Sequence, residues 1–350
     1  MSSKGFDVDE IPACYKVNKD DWSVVFNPRI PRRLDVNLVR MVYIPYENVV
    51  VCLKYSADGN YVTTGSNHMA HIFNLMTGEK VFDFRDSSVD DGGSNYIRAV
   101  CFSPDGKYLV TGSEKSQIRV WDIQSKTICN IFSGPLGEIS ALEFASDGHR
   151  IASGGSDNTV RIWDNESGCE ISTFAVYDYV RSVAISPNAK YIAAGSEDNT
   201  VRVWNIATGS LVGRFGGPDS HKDGVYSVAF SPTGEKLISG SLDKTIKLWK
   251  LAVGPEIPDQ DIKGGECIST FYGHRDFVLS VAATPDVRWI ISGSKDHRIH
   301  FWDQKTGDIQ FVLQGHKNTV LSVALSPTGR YFATTSGDMR LRIWSYTYLD

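Results

Sequence analysis

Hydrophobic residues along this chain fall in short runs that alternate with polar positions, and clusters of Gly, Pro, Asn and Asp close each run. Period-two alternation between frequent turn residues predicts β-strands joined by hairpins, and no stretch keeps the 3.6-residue period of a helix. One run, "SGSLDKTIKLW" at Ser239–Trp249, recurs as "TGSEKSQIRVW", "SGGSDNTVRIW", "AGSEDNTVRVW", "SGSKDHRIHFW" and "TTSGDMRLRIW", with a degraded copy, "TGSNHMAHIF". The copies end on Phe73, Trp121, Trp163, Trp204, Trp249, Trp302 and Trp344, at intervals of 41 to 53 residues.

Upstream of each copy stands another run closed by a turn, such as "AVCFSPDG" or "SVAFSPTG", and downstream of six copies a shorter run such as "CNIF", "ISTF" or "LVGRF". Each unit is therefore four short strands. A single four-stranded unit cannot bury both faces, so neighbours must stack, and closing the stack into a ring removes its exposed ends. Seven copies predict an all-β, seven-bladed β-propeller. Cys52, Ala99, Ala141, Ser182, Ser227, Ser280 and Ser322 share one position of the first strands. All are small, as a narrow axis requires.

The seventh copy stops at "IRIWSYTYLD", one strand short, which would leave an unpaired edge. The segment "RRLDVNLVRMVYI" alternates Leu34, Val36 and Leu38 with polar residues and belongs to no unit of its own. It is expected to complete the last blade and fasten the chain ends together. The chain thus divides into an N-terminal extension, 1–47, with the closing strand at about 33–44, and a propeller, 48–350.

The polar residues inside the repeats need partners, because buried polar groups without them are costly. His221, His274 and His316 stand 28 residues before the tryptophans of copies five to seven. A His, a Ser or Thr, an Asp and an indole N–H can close one hydrogen-bond network. The complete sets are His221, Ser239, Asp243 and Trp249; His274, Ser292, Asp296 and Trp302; and His316, Thr334, Asp338 and Trp344. Copy two lacks the set, with Lys115 in place of the Asp and Gly93 in place of the His. A catalytic Ser-His-Asp triad is needed once, in a cleft with an oxyanion hole. A trio repeated in register with a tryptophan is bracing, and no catalytic residue is assigned.

Composition narrows the function. Net charge is −5, which disfavours direct nucleic-acid binding by phosphate neutralisation; "PRIPRRLDVNLVR" is the one basic cluster. The six cysteines form no C-x-x-C pair, most lie in strand-like runs, and neither a disulfide framework nor a metal site is expected. The N-terminus carries no apolar signal-peptide core, and no apolar run approaches membrane-spanning length, so a cytosolic or nuclear protein is expected. No phosphate-binding loop, dinucleotide fingerprint or calcium loop occurs, and no cofactor is expected.

The G-H…W units with this tetrad resemble WD repeats, from about residue 48 to the end of the sequence. "FNPRIPRRLDVNL", "YIRAVCFSPDGKYLVTGSE", "HKDGVYSVAFS", "HRDFVLSVA", "SGSKDHRIHFWD" and the insertion "LAVGPEIPDQDIKGGE" in blade five closely resemble the C-terminal propeller of the fungal Tup-type, Groucho-like corepressors. The resemblance implies a nuclear, non-enzymatic platform that docks DNA-binding repressor proteins on one face and links them to silencing machinery. In that family a helical N-terminal region oligomerises, binds a TPR-repeat partner and contacts histones. No such region precedes residue 12, so those partners are not inferred and the propeller is expected to be monomeric. Another WD scaffold, a ubiquitin-ligase adaptor or a signalling subunit, is the alternative.

Residues flanking the start of each first strand, with the one before the tetrad Asp, should project from one rim. The expected partner-binding set is Val51, Tyr96, Arg98, Glu114, Ser140, Tyr179, Tyr226, Phe277, Leu279, Lys295 and Asn318. Aromatic and apolar side chains rimmed by charge are the expected composition of a protein-docking surface.

Overall fold

The computed structural model describes residues 7–44, 49–85, 96–133, 137–251 and 265–349. Their strands form seven antiparallel sheets. Blade one runs from Cys52–Tyr55 to Lys80–Arg85, blade two from Ile97–Phe102 to Thr127–Ser133, and blade three from Ile139–Phe144 to Glu170–Ala175. Blade four runs from Val180–Ile185 to Leu211–Phe215 and blade five from Val225–Phe230 to Gly265–Tyr272. Blade six runs from Val278–Ala283 to Ile309–Gln314, and blade seven from Val320–Leu325 to Arg340–Tyr348. Each blade's first strand lies beside the next blade's, and blade seven's lies beside blade one's. The expected seven-bladed ring is what forms. Gly93 and most of the blade-five insertion lie outside the described residues.

The repeated sequence explains how blades stack. In blades one to five the outer strand places a phenylalanine against the next blade's tryptophan: Phe84 on Trp121, Phe132 on Trp163, Phe174 on Trp204, Phe215 on Trp249 and Phe271 on Trp302. Centroid separations of 4.9 to 5.8 Å put these pairs in the favourable aromatic range, about 0.5–1.5 kcal/mol each beyond their buried area. The glycine of the "SG" dipeptide lets the blades close up. A Cβ on Gly240 would stand 2.8 Å from a Val278 methyl of the next blade.

At the axis the small residues do more than save space. The hydroxyls of Ser182, Ser227 and Ser280 each accept the backbone N–H of a valine one blade on, Val228, Val281 and Val323, all at 3.0 Å. Together with the neighbouring side chains they line a central channel of about 600 Å³. The Lys54 ammonium pairs with the Glu143 carboxylate inside it.

The N-terminal segment is built into the ring. Strands β1 (Lys16–Asn18) and β2 (Ser23–Phe26) form a hairpin, and β3 (Leu34–Tyr43) follows. β3 pairs antiparallel with the last strand, from Leu34 opposite Tyr348 to Tyr43 opposite Arg340, with a bulge between Leu38 and Arg40. Leu34 and Val36 are buried in the core between blades six and seven.

The hairpin has no counterpart in the expectation of four strands per blade. β2 pairs with the outer strand of blade six, Ile309–Gln314, making that sheet six-stranded. Its signature was present in the sequence. "IQFVLQ" puts Val312 and no charge on its second face, and has Leu313 where blades one to five have the stacking phenylalanine. Trp22, from the turn between β1 and β2, supplies the missing aromatic, edge-on to Trp344 at 5.5 Å. The fully buried Arg342 guanidinium then pins the turn by donating to the Asp21 carbonyl at 3.1 Å and to the Gly315 carbonyl at 2.9 Å.

The cysteines divide between environments. Cys101 is buried and Cys52 and Cys267 are half-buried, whereas Cys129 is exposed although it lies in a strand, because outer strands present one face to solvent. Cys14 and Cys169 are also exposed, and all six are free thiols.

Candidate functional site

The tetrad residues stand where the first strand of a blade meets the turn between its second and third strands. In blade five the Trp249 indole N–H donates to Ser239 at 2.8 Å, Ser239 pairs with His221 Nε2 at 2.7 Å, and His221 Nδ1 pairs with Asp243 at 2.8 Å. Blade six repeats the chain through Trp302, Ser292, His274 and Asp296, and blade seven through Trp344, Thr334, His316 and Asp338. Each aspartate also accepts the backbone N–H after the histidine, from Lys222, Arg275 and Lys317, each at 2.9 Å. These are closed networks with no hydroxyl free to attack anything. Burial opposes the Asp338 anion, but the His316 contact and the Lys317 N–H outweigh it and hold the carboxyl down at about 2. Burial likewise pushes His221 and His316 below the usual imidazole range.

The incomplete blades show what replaces a missing member. Blades three and four have no tetrad histidine, and their aspartates, Asp157 and Asp198, pair instead with Arg161 at 3.2 Å and Arg202 at 2.7 Å. Each arginine stands two residues before the tryptophan, so "DNTVRIW" and "DNTVRVW" carry the substitute in plain view. Blade one has Phe73 in place of the tryptophan, and the buried Thr63 hydroxyl lacks a partner among the described residues.

One mouth of the channel gathers five of the eleven expected rim residues. Val51, Arg98, Ser140, Tyr226 and Leu279 line it, with Glu138, Arg181 and Leu321. Around blades two to five the side chains form a lattice of arginine, glutamate and aromatic rings. Arg98 pairs with Glu114 and, at 3.1 Å, with Glu138, and its guanidinium lies 5.0 Å from the Tyr96 ring centroid. Arg181 pairs with Glu197 at 2.6 Å and lies over Tyr179 at 3.7 Å, within 4.9 Å of Tyr226. The Tyr226 hydroxyl donates to Glu197 at 3.2 Å, and Lys295 caps the Phe277 ring at 4.7 Å. Cations held over rings in this way present them as rigid plates. Toward blades five, six, seven and one the mouth turns apolar, with Leu279, Leu321 and Val51.

Two of the expected residues spend their polar atoms on the ring. Ser140 donates to the carbonyls of Gly154 and Val180, and Asn318 caps its own loop through Thr319 and Gly337. Position in the repeat could not separate these from the others. Glu138 and Arg181, which complete the lattice, hold rim positions that the repeats themselves point to, and Glu197, which sequence reasoning missed, stands at the repeat position of Glu114.

Seven stretches of the chain, 40–74, 87–122, 126–164, 168–205, 209–250, 265–303 and 307–345, match the WD domain, G-beta repeat family. The chain belongs to the WD-repeat family. Among curated relatives it is similar to the transcriptional repressor rco-1 of Neurospora crassa, with 56% identity over 307 residues, 87% of this chain and 50% of that protein. It is 39% identical over 360 residues to the general transcriptional corepressor TUP1 of Saccharomyces cerevisiae, covering 86% of this chain and 50% of that one. With the transcriptional repressor tup12 of Schizosaccharomyces pombe the identity is 44% over 294 residues, 83% and 48% of the two chains. This WD-repeat chain spans about half the length of these relatives, and the resemblance to Tup-type propellers read from its sequence is borne out.

Proposed function

We propose that this propeller is the docking module of a transcriptional corepressor. In the nucleus, its channel-mouth face holds DNA-binding repressor proteins and links them to silencing machinery without catalysing a reaction. In this reading residues 1–47 serve as the closing extension and 48–350 as the propeller body. The observation that carries the proposal is the lattice of Tyr96, Arg98, Glu114, Tyr179, Arg181, Tyr226, Phe277 and Lys295 beside the apolar Leu279. These side chains are clustered on one face. Rigid aromatic and arginine anchors beside an apolar patch are the composition of an energetically dominant protein contact. Similarity to named repressors across more than four-fifths of the chain favours this reading over another WD scaffold. The likeness to mouse WD repeat-containing protein 1 reaches only 26% of it. Histone and TPR-partner contacts are not assigned to these residues.

Tyr226→Asp and Leu279→Asp should lower affinity for a purified DNA-binding repressor at least tenfold in titration calorimetry. An aspartate driven into an apolar contact is desolvated without a partner. Both side chains are half-buried, so melting should fall by no more than about 1 kcal/mol, in the lower part of the usual range for single substitutions. Val228→Asp, on an innermost strand, should instead unfold blade five. Rim variants that bind normally refute the docking face; rim variants that unfold make those side chains part of the core.

A further inference from the structure

The residue two before the closing aromatic is buried in six blades, and in five of these a hydrogen bond or ion pair holds it. In blade one His71 pairs with Asp83, in four Arg202 with Asp198, in five Lys247 donates to Thr270 at 2.9 Å, and in seven Arg342 donates to two carbonyls. Arg119 of blade two donates to Gln117 at 2.7 Å. Blade six departs from the rule. Its residue is His300, 1% exposed, and neither ring nitrogen has a partner among the described residues. Its neighbours across the sheet are Ser292, already committed to the tetrad, and Val312, apolar because β2 covers that outer strand. Its ring lies flat on the tetrad histidine, His274, with centroids 3.8 Å apart and planes 13° apart.

A neutral imidazole can occupy this place at the cost of two unmade hydrogen bonds; an imidazolium cannot. The charged groups around it confirm the asymmetry. His274 and Arg298 oppose a proton on His300, Asp296 favours one, and burial opposes it most. Asp296 is itself occupied by His274 and by the N–H groups of Arg275 and Arg298.

Beside this pair, fastened to its flanking residues, runs the segment before β1. Val8 is 2% exposed and packs in the core that holds Trp302 and Val312. On either side of it, Asp7 and Asp9 grip Arg275, the residue after His274, and Asp9 reaches Arg298 at 3.7 Å. The segment is therefore fastened to the two arginines that flank the histidine pair.

We propose that His274 and His300 form a proton-operated latch: a proton taken up at His300 opens the segment around Val8 and lets water reach the ring. The sign follows from burial. His300 is neutral when covered and has an ordinary imidazole pKa, about 6.5, when open, so the covered state is favoured above that pH and loses ground below it. One proton per opening gives a rise of about fivefold over the first pH unit below 6.5, approaching tenfold per unit further down. A metal ion is the competing occupant of His274, Asp296 and His300, whose ligand atoms lie within 4.8 Å of one another. Two arginines beside the site and stacked, rather than converging, rings favour the proton.

The test uses the full chain carrying Val8→Cys, labelled with 4,4′-dithiodipyridine and quantified by peptide mass spectrometry, with the exposed Cys14 of the same molecule as internal reference. The Val8→Cys to Cys14 rate ratio should rise about fivefold from pH 6.5 to 5.5. The rise should vanish when His300→Phe, which keeps a ring on His274, is added. It should vanish equally with His300→Arg, which installs the residue that blades two, three, four and seven carry. A flat ratio in the parent protein overturns the latch, as does an unchanged slope in both variants. Protection of Val8→Cys by micromolar zinc at pH 7.5, lost in His300→Phe, would hand the pair to a metal and overturn it too.

Discussion

Replacing Trp302 by alanine tests whether the tetrad acts as a unit. Trp302 is fully buried and ends a chain through Ser292 and His274 to Asp296. Truncating a buried tryptophan costs about 3–5 kcal/mol through lost burial and the cavity left behind. Removing the indole donor also loosens a polarised chain of hydrogen bonds, worth about 1–2 kcal/mol more if the members strengthen one another. Trp121→Ala is the matched control. That ring is nearly as buried and stacks on Phe84, and its N–H donates to Thr111 at 2.9 Å, but Lys115 replaces the aspartate, so no chain lies behind it. Urea melts followed by tryptophan fluorescence and circular dichroism should show Trp302→Ala as the costlier by about 1–2 kcal/mol. A double-mutant cycle sharpens the comparison. Trp302→Phe with Asp296→Asn should couple by about 1 kcal/mol although the two side chains do not touch, whereas Trp121→Phe with Lys115→Ala should be additive within about 0.5 kcal/mol. Equal losses for the two alanine variants and additivity in both cycles would show that the tetrads are independent hydrogen bonds.

Deleting residues 1–45 removes β3 and the β1–β2 hairpin together; aggregation or a much lower melting temperature in light scattering and calorimetry is expected, and an unchanged monomeric melt refutes the closure. Arg342→Met should free the turn at Asp21 and Trp22, seen as at least tenfold faster limited proteolysis there with the ring still folded. Stability should decline on two limbs as pH falls. The first begins near pH 6.5, where buried His221 and His316 protonate only on unfolding, and the second lies between about pH 4 and 2, where the Asp338 carboxylate is lost. In thermal melts across that range His221→Gln should flatten the upper limb in part, with His316 keeping the remainder.

The ring was legible because one physical pattern, repeated seven times, leaves little else for a four-stranded unit to build. The closing strand was legible for the same reason, since the last copy lacks a strand and Leu34, Val36 and Leu38 supply the alternation. The β1–β2 hairpin escaped because "KVN" and "SVVF" are too short to stand out; only Val312, breaking the polar alternation of Ile309–Gln314, betrayed a covering strand. At the channel mouth, repeat position identified the side chains but not their partners. Whether Ser140 faces a ligand or donates to Val180 depends on how closely two blades approach, which no single repeat records.

Pairing Leu34 with Tyr348 also sets a clock. Ribosomes add about 5–20 residues each second, so β3 is made some 15 to 60 seconds before its partner strand exists. Through that interval Leu34 and Val36 form an unpaired apolar edge on the growing chain, which is the kind of edge that recruits neighbours on a crowded polysome. Chaperone demand should therefore concentrate on the waiting strand β3 rather than on the strand that finally pairs with it. A premature stop within Arg340–Tyr348 should be as damaging as losing a whole blade, because it removes no more than one strand but strands both ends of the ring.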